Sequence, residues 1–140
     1  MGRILMSTVL TEKGTKLPLI NLKGKSYLMV AHRLQWLTEK EENYVIDTSI
    51  VSENADQAIL RAKITILTPD GKVKKQASAT KVETKKDFND YLEKAETAAI
   101  GRALAMLGFG TQHALSDLDE GERIVDTPLK STKADSKGDF

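Results

Sequence analysis

Apolar and polar residues change period twice along this chain, from helical spacing to strict alternation near residue 44 and back again near residue 87. Val30, Leu34 and Leu37 recur at helical intervals after the turn-forming Gly24, Lys25 and Ser26, which predicts a short helix to about Glu41. Tyr44 to Ser52 then alternates, with Tyr44, Ile46, Thr48 and Ile50 on one face, and reads as a strand. Ala58 to Thr68 predicts a second strand. Its Leu60, Ala62, Ile64 and Ile66 share one face while Arg61, Lys63 and Thr65 share the other, the mark of a sheet packed on one side only. Pro69, Asp70 and Gly71 supply a turn, so Val73 to Val82 returns antiparallel as a third strand.

The longest regular segment opens at Asp87, an N-cap residue type, and runs to Leu107, where Gly108 provides a stop. Phe88, Leu92, Ala95, Ala99 and Met106 form one stripe of this helix and Ile100, Leu104 and Leu107 a second, so its C-terminal half is apolar almost all round. Such a half-helix needs two partners, the sheet and either a second helix or a neighbouring subunit. The expected fold is therefore α+β: an antiparallel three-stranded meander packed on a long C-terminal helix, with a short helix before the sheet, in an oligomer. Residues 1–26 have no sustained period and read as an arm or edge strand around Leu17, Pro18, Leu19 and Ile20. Residues 27–115 form the single core domain, and the polar stretch 116–140 reads as a flexible tail.

Composition narrows the chemistry. A chain of 140 residues without cysteine cannot be a disulfide scaffold, a thiolate zinc site or a cysteine hydrolase. No apolar run approaches the roughly 20 residues of a membrane helix, and the opening MGRILMSTVLTEKGTK has too short an apolar stretch for a signal peptide, so a cytoplasmic protein with no membrane partner is expected. The net charge of +1 argues by itself against nucleic acid, yet the charges are segregated. Residues 1–37 sum to +5 and residues 38–57 to −5. The stretch 58–86 reaches +6 through Arg61, Lys63, Lys72, Lys74, Lys75, Lys81, Lys85 and Lys86 against Asp70 and Glu83. Screening over about 8–10 Å keeps distant acids from cancelling such a segment, so it is either a phosphate-binding field or a solvated lysine face.

Candidate catalytic groups are few. His32 and His113 sit in no ligand-spaced motif, and Glu93 with Glu96, one turn apart on the long helix, reads as a solvated or salt-bridged pair more readily than an acid–base or metal pair. The run Gly108, Phe109, Gly110, Thr111 follows a helix C-terminus, where the dipole disfavours an anion, and is read as capping. No enzyme and no cofactor is expected. Arg102 borders the stripe of Ala95, Ala99 and Met106, where an arginine bridges to a protein carboxylate or reaches a phosphate; Arg33 on the first helix carries the same alternatives. Trp36 is a platform for a base or an anchor in a subunit interface.

Two stretches together, YLMVAHRLQWL (Tyr27 to Leu37) and DYLEKAETAAIGRALAMLGFGTQ (Asp90 to Gln112), resemble the single-strand annealing proteins of the Rad-fifty-two superfamily, including its DdrA-like branch. The likeness spans roughly residues 17–115. It implies a ring or arc of identical subunits that binds single-stranded DNA in a basic groove and anneals complementary strands without ATP, in recombination or repair. Arg33 matches that family's groove arginine and Arg102 one base of its long-helix cluster. Gly101 and Ala105 stand where some members carry further bases, which shifts the burden of an outer site to Lys72, Lys74 and Lys75 or to Lys81, Lys85 and Lys86. Arg61 with Lys63 is the alternative strand face, the choice resting on register. A mediator acting through a single-strand-binding protein or an exonuclease, by way of the tail ending Gly138, Asp139, Phe140, is the competing reading. A metal-dependent nuclease built on Glu93, Glu96 and His113 is the third.

Overall fold

In the computed structural model, which describes residues 7–115, the alternating segments form the expected meander. Strands β5 (Tyr44–Glu53), β6 (Gln57–Leu67) and β7 (Val73–Thr84) pair antiparallel in that order, after α1 (Val30–Lys40) and before α2 (Tyr91–Met106). The tail 116–140, with Gly138, Asp139 and Phe140, lies outside the described residues. Before α1, two small hairpins stand where the sequence showed no period: β1 (Thr8–Leu10) with β2 (Lys16–Pro18), and β3 (Ile20–Leu22) with β4 (Lys25–Tyr27). Strands of three residues hold too few positions for an alternation to register.

The inner face of β6 is built from Ala58, Leu60, Ala62, Ile64 and Ile66, all buried, and continues into Ala77 and Ala79 of β7. Against these small and branched side chains lies α2, through Ala95, Ala99, Ile100, Ala103, Leu104 and Leu107. Alanines on both sides let helix and strands approach closely. The far side of the helix's apolar half is covered by α1, whose Val30 and Leu37 join the same core. The second partner expected for that half-helix is thus a helix of the same chain, and its apolar surface does not require a neighbouring subunit. Leu17, Leu19 and Leu28 form a smaller cluster, closed by Val9 and Trp36, that seats the hairpins on the helical layer.

Helix α2 starts later than the Asp87 N-cap predicts. The Thr84 hydroxyl donates to Asp87 Oδ2, and the Asp87 N–H donates to Thr84 Oγ1 and to its carbonyl. These local bonds hold a turn that competes with helix, and regular helix begins only at Tyr91. The stop is as expected. Gly108, with φ of +99°, donates to the Ala105 carbonyl while the Phe109 N–H reaches back to Leu104, a Schellman closure. Gly110, with φ of +73°, is fixed by a neighbour as well, since a Cβ there would lie 2.5 Å from Leu28 Cδ2. Among the described residues no helix is long and apolar enough to cross a membrane.

Candidate nucleic-acid interface

With both helices on one side of the sheet, its other side is open. The period of two in β6 turns Ile59, Arg61, Lys63 and Thr65 toward that open side, and Arg61 and Lys63 are exposed. Register surrounds them with small polar groups: Arg61 lies between Ser49 of β5 and Thr80 of β7, and Lys63 between Asp47 and Ser78. One pleat further, Gln76 donates from its amide to the Thr65 hydroxyl at 3.0 Å. Arg61 and Lys63 stand about 6.7 Å apart along the strand. The face therefore offers two cations on the central strand beside hydroxyl and amide groups that bond phosphate or sugar oxygens without reading base identity, with one acid, Asp47, opposite Lys63.

The other lysines are dispersed. Lys74 is the extra residue of a bulge in β7, opposite the step from Ile66 to Leu67, and its ammonium contacts Glu41 at 3.1 Å. Lys75 turns to the helical side and donates to the Leu107 carbonyl at 3.0 Å, placing a positive charge at the negative end of α2. Lys72 is exposed at the tip of the β6–β7 turn. At the opposite end, Lys81 is half-buried on the helical side of β7, and Lys85 and Lys86 are exposed before α2. Arg61 and Lys63 are thus the exposed bases on the open face of β6, while Lys74 and Lys75 are engaged by Glu41 and the Leu107 carbonyl. One copy has no continuous basic rim linking the ten residues.

Arg33 is not a groove residue. It is 0% exposed, its Nε donates to the Leu28 carbonyl at 2.8 Å and its Nη1 to the Gly101 carbonyl at 2.9 Å. The guanidinium also lies 5.2 Å from the centre of the Tyr27 ring. It fastens the start of α1 to the middle of α2, and no phosphate reaches it without parting the two helices. Arg102 is half-buried on α2, in the layer on the opposite side of the sheet from Arg61 and Lys63.

Trp36 is also committed within the chain. Its indole N–H donates to Glu12 Oε1 at 2.8 Å, and its ring meets Phe109 edge-on at 6.2 Å. It is an anchor, as one alternative held, but for the β1–β2 hairpin rather than for a neighbouring subunit. That bond, the Glu12 backbone N–H and Lys40 at 3.1 Å hold the Glu12 carboxyl down to about 2. Thr11 and Thr15 hydroxyls likewise lower Glu39, tying the same hairpin to α1 a second time.

Glu93 and Glu96 line a cleft of about 420 Å³ between β5 and α2, where Glu96 Oε2 accepts from the Thr48 hydroxyl at 2.9 Å. His113 lines a different groove, beside Trp36 and Gly110, so the three do not meet. Among the described residues no cluster of His, Asp and Glu could hold a metal ion. The groups that sequence reasoning passed over are Ser49, Gln76, Ser78 and Thr80. Their signal was available, because Gln76, Ser78 and Thr80 alternate with the apolar Ala77 and Ala79.

A family model described as Slr1353 N-terminal dsRNA-binding domain-like matches residues 34–107, more than half of the chain. The matched span takes in most of α1, the whole meander and all of α2. No curated protein and no solved structure matches the chain.

Proposed function

The chain belongs to the Slr1353 N-terminal dsRNA-binding domain-like family, a family of nucleic-acid-binding domains, and from that premise we propose that it holds single-stranded DNA by its backbone and anneals complementary strands without ATP. The observation that carries this reading is the open face of the sheet, where exposed Arg61 is flanked by Ser49 and Thr80 and exposed Lys63 by Asp47 and Ser78, with Gln76 one pleat further. A strand to be paired must be held while its base edges stay free. Cations and hydroxyls grip phosphate and sugar, and no aromatic ring stands beside Arg61 and Lys63 in the register to stack a base. Neutralising phosphates on two strands lets them approach, and base pairing supplies the driving free energy, so the reading assigns no catalytic group and no nucleotide. Single-strand binding of this kind is insensitive to sequence and falls steeply with salt.

The family's description favours a second reading, duplex RNA held by shape and by 2′-hydroxyl and phosphate contacts. One experiment separates them. Complementary DNA strands, one carrying a fluorophore and the other a quencher, are mixed with the protein in the absence of ATP, with a parallel titration of duplex RNA. Faster pairing that is lost in Arg61→Ala/Lys63→Ala supports annealing. No acceleration, together with tight duplex RNA binding, moves the function to the second reading.

A further inference from the structure

Of the three strands in the sheet, β5 is the one the helices cover least. Helix α2 packs chiefly on β6 and β7, and α1 packs on α2, so the inward positions of β5, Tyr44, Ile46, Thr48 and Ile50, line a groove. Two cavities follow one another along it. The first, of about 570 Å³, lies against α1 and has Leu34, Tyr44 and Ile46 as its apolar wall. The second is the cleft of about 420 Å³ that holds Glu93 and Glu96, with Ile50, Leu60 and Leu92 as its apolar wall.

Charge and geometry restrict what such a groove takes. Among the described residues no lysine or arginine lines either cavity, and β5 carries Asp47 and Glu53 and no base. A phosphate chain is repelled there, and a cation is drawn to the Glu93 end. The outer edge of β5 is open as well, since the sheet order is β5, β6, β7 and among the described residues no strand pairs beyond β5. An extended peptide laid along that edge bonds its unpaired N–H and C=O groups and sends every second side chain inward. Ile46 and Ile50 are four residues apart, about 13 Å at 3.3 Å per residue. One side chain of the peptide therefore reaches the first cavity and the side chain four residues away reaches the second.

We propose that this groove docks an extended segment of a partner protein, with an apolar residue in the first cavity and, four residues away, a lysine or arginine in the second. The stem of that base covers Ile50 and Leu92 while its charged head meets Glu93 and Glu96. The chain's own first residues carry a similar chemistry in Arg3, Ile4 and Leu5. They lead, however, into a hairpin seated on the Trp36 side of α1, whereas the groove opens on the Ala31 and Thr38 side. The groove also lies in the helical layer, on the opposite side of the sheet from Arg61 and Lys63, so it does not rest on the strand-holding reading.

The test is selection of a displayed library of random ten-residue peptides on the folded full chain, after which the enriched peptides are labelled and titrated by fluorescence polarisation. Enriched sequences are expected to share an apolar residue and, four positions away, Lys or Arg. Glu93→Gln/Glu96→Gln, which leaves an oxygen to accept from Thr48, is expected to weaken their binding roughly tenfold. Ala31→Arg, at an exposed position of the first cavity, is expected to abolish it. N-methylation at successive peptide bonds should remove binding at alternate positions, as strand pairing requires. Circular dichroism checks that the variants fold, and Glu93→Lys, at an exposed residue, serves should the double change unfold the chain. A library that yields no binder, binders indifferent to these variants, or N-methylation without alternation overturns the proposal. Selected peptides that match a stretch of this chain, residues 1–6 included, give the groove to the chain itself and overturn it too. Arg61→Ala/Lys63→Ala is expected to keep full peptide affinity, so a failure at the open sheet face is read separately.

Discussion

The Arg33 guanidinium on α1 donates to the Gly101 carbonyl on α2 at 2.9 Å, inside the core and without exposure to solvent. A backbone carbonyl in mid-helix is a weak partner for a full charge, and the Leu28 carbonyl and the Tyr27 ring lie against the same guanidinium. Removing the side chain leaves these acceptors buried with their donor gone. Arg33→Ala is expected to destabilise the fold by about 3 kcal/mol, the range for breaking a buried charged interaction, which lowers Tm by roughly 10 °C in a domain of this size. Arg33→Lys recovers only part of that loss, since an ammonium cannot span two carbonyls in the fork geometry of guanidinium. Thermal unfolding of the two variants checks both statements; an Arg33→Ala protein that keeps its Tm but loses DNA binding returns Arg33 to the groove.

Gly110 and Leu28 fix the loop after α2. A Cβ at residue 110 meets Leu28 Cδ2 at 2.5 Å, and its φ of +73° disfavours any L side chain. Gly110→Ala is therefore expected to cost about 2–3 kcal/mol, of which the backbone supplies about 1–2 and overpacking the rest. The double variant Gly110→Ala/Leu28→Ala removes the clash but not the backbone strain. Denaturant titration should find the two losses less than additive. Additive losses would mean that the loop moves away from Leu28.

The sheet and its turn were legible in the sequence because a period of two, bounded by Pro69 to Gly71, admits one arrangement. The fold class followed from it. Arg33 was harder, yet it stands one turn before Leu37, and the buried face of α1 is Val30, Arg33 and Leu37 rather than Val30, Leu34 and Leu37. An apolar stripe read only from apolar residues misses a buried guanidinium that bonds backbone carbonyls, which leave no mark on a sequence. The N-terminal hairpins escaped for a different reason: their seat depends on Glu12 meeting Trp36 and Glu39 meeting Thr15, contacts 24 residues apart. The likeness to annealing proteins placed weight on Arg33 and Arg102, whereas the open sheet face brings forward Arg61 and Lys63. The matching family is a nucleic-acid-binding one, and its description carries no mention of annealing.

Acid should loosen the β1–β2 hairpin before it unfolds the core. Glu12 has its carboxyl lowered from 4.5 to about 2 by the Trp36 indole, its own backbone N–H and Lys40. A carboxyl depressed on folding contributes stability that is complete above its unfolded value and is lost as pH falls through its folded value. The expected window therefore runs from about pH 4.5 down to about 2. Trp36 is the chain's one tryptophan, so its emission reports the contact directly. A shift in emission across this window, absent in Glu12→Gln, is the expected result. An emission that changes only together with the far-UV signal of the whole domain would place the hairpin in the cooperative core.

Salt dependence measures how many cations touch phosphate. Each phosphate neutralised on a single strand contributes about −0.7 to the slope of log K against log salt. Arg61 and Lys63 share one open face with exposed side chains, so replacing both by Ala is expected to reduce the slope by about 1.4 and to weaken binding at low salt more than at high. Stability should stay within about 0.5 kcal/mol of wild type, as for surface positions that hold nothing in place. Lys75→Ala offers the contrast. Its ammonium sits on the Leu107 carbonyl at the end of α2, so that change should cost about 0.5–1 kcal/mol of stability and leave the slope where it was. If instead Lys75→Ala flattens the slope and Arg61→Ala/Lys63→Ala does not, nucleic acid lies on the helical side of the sheet. The open face then serves only solubility.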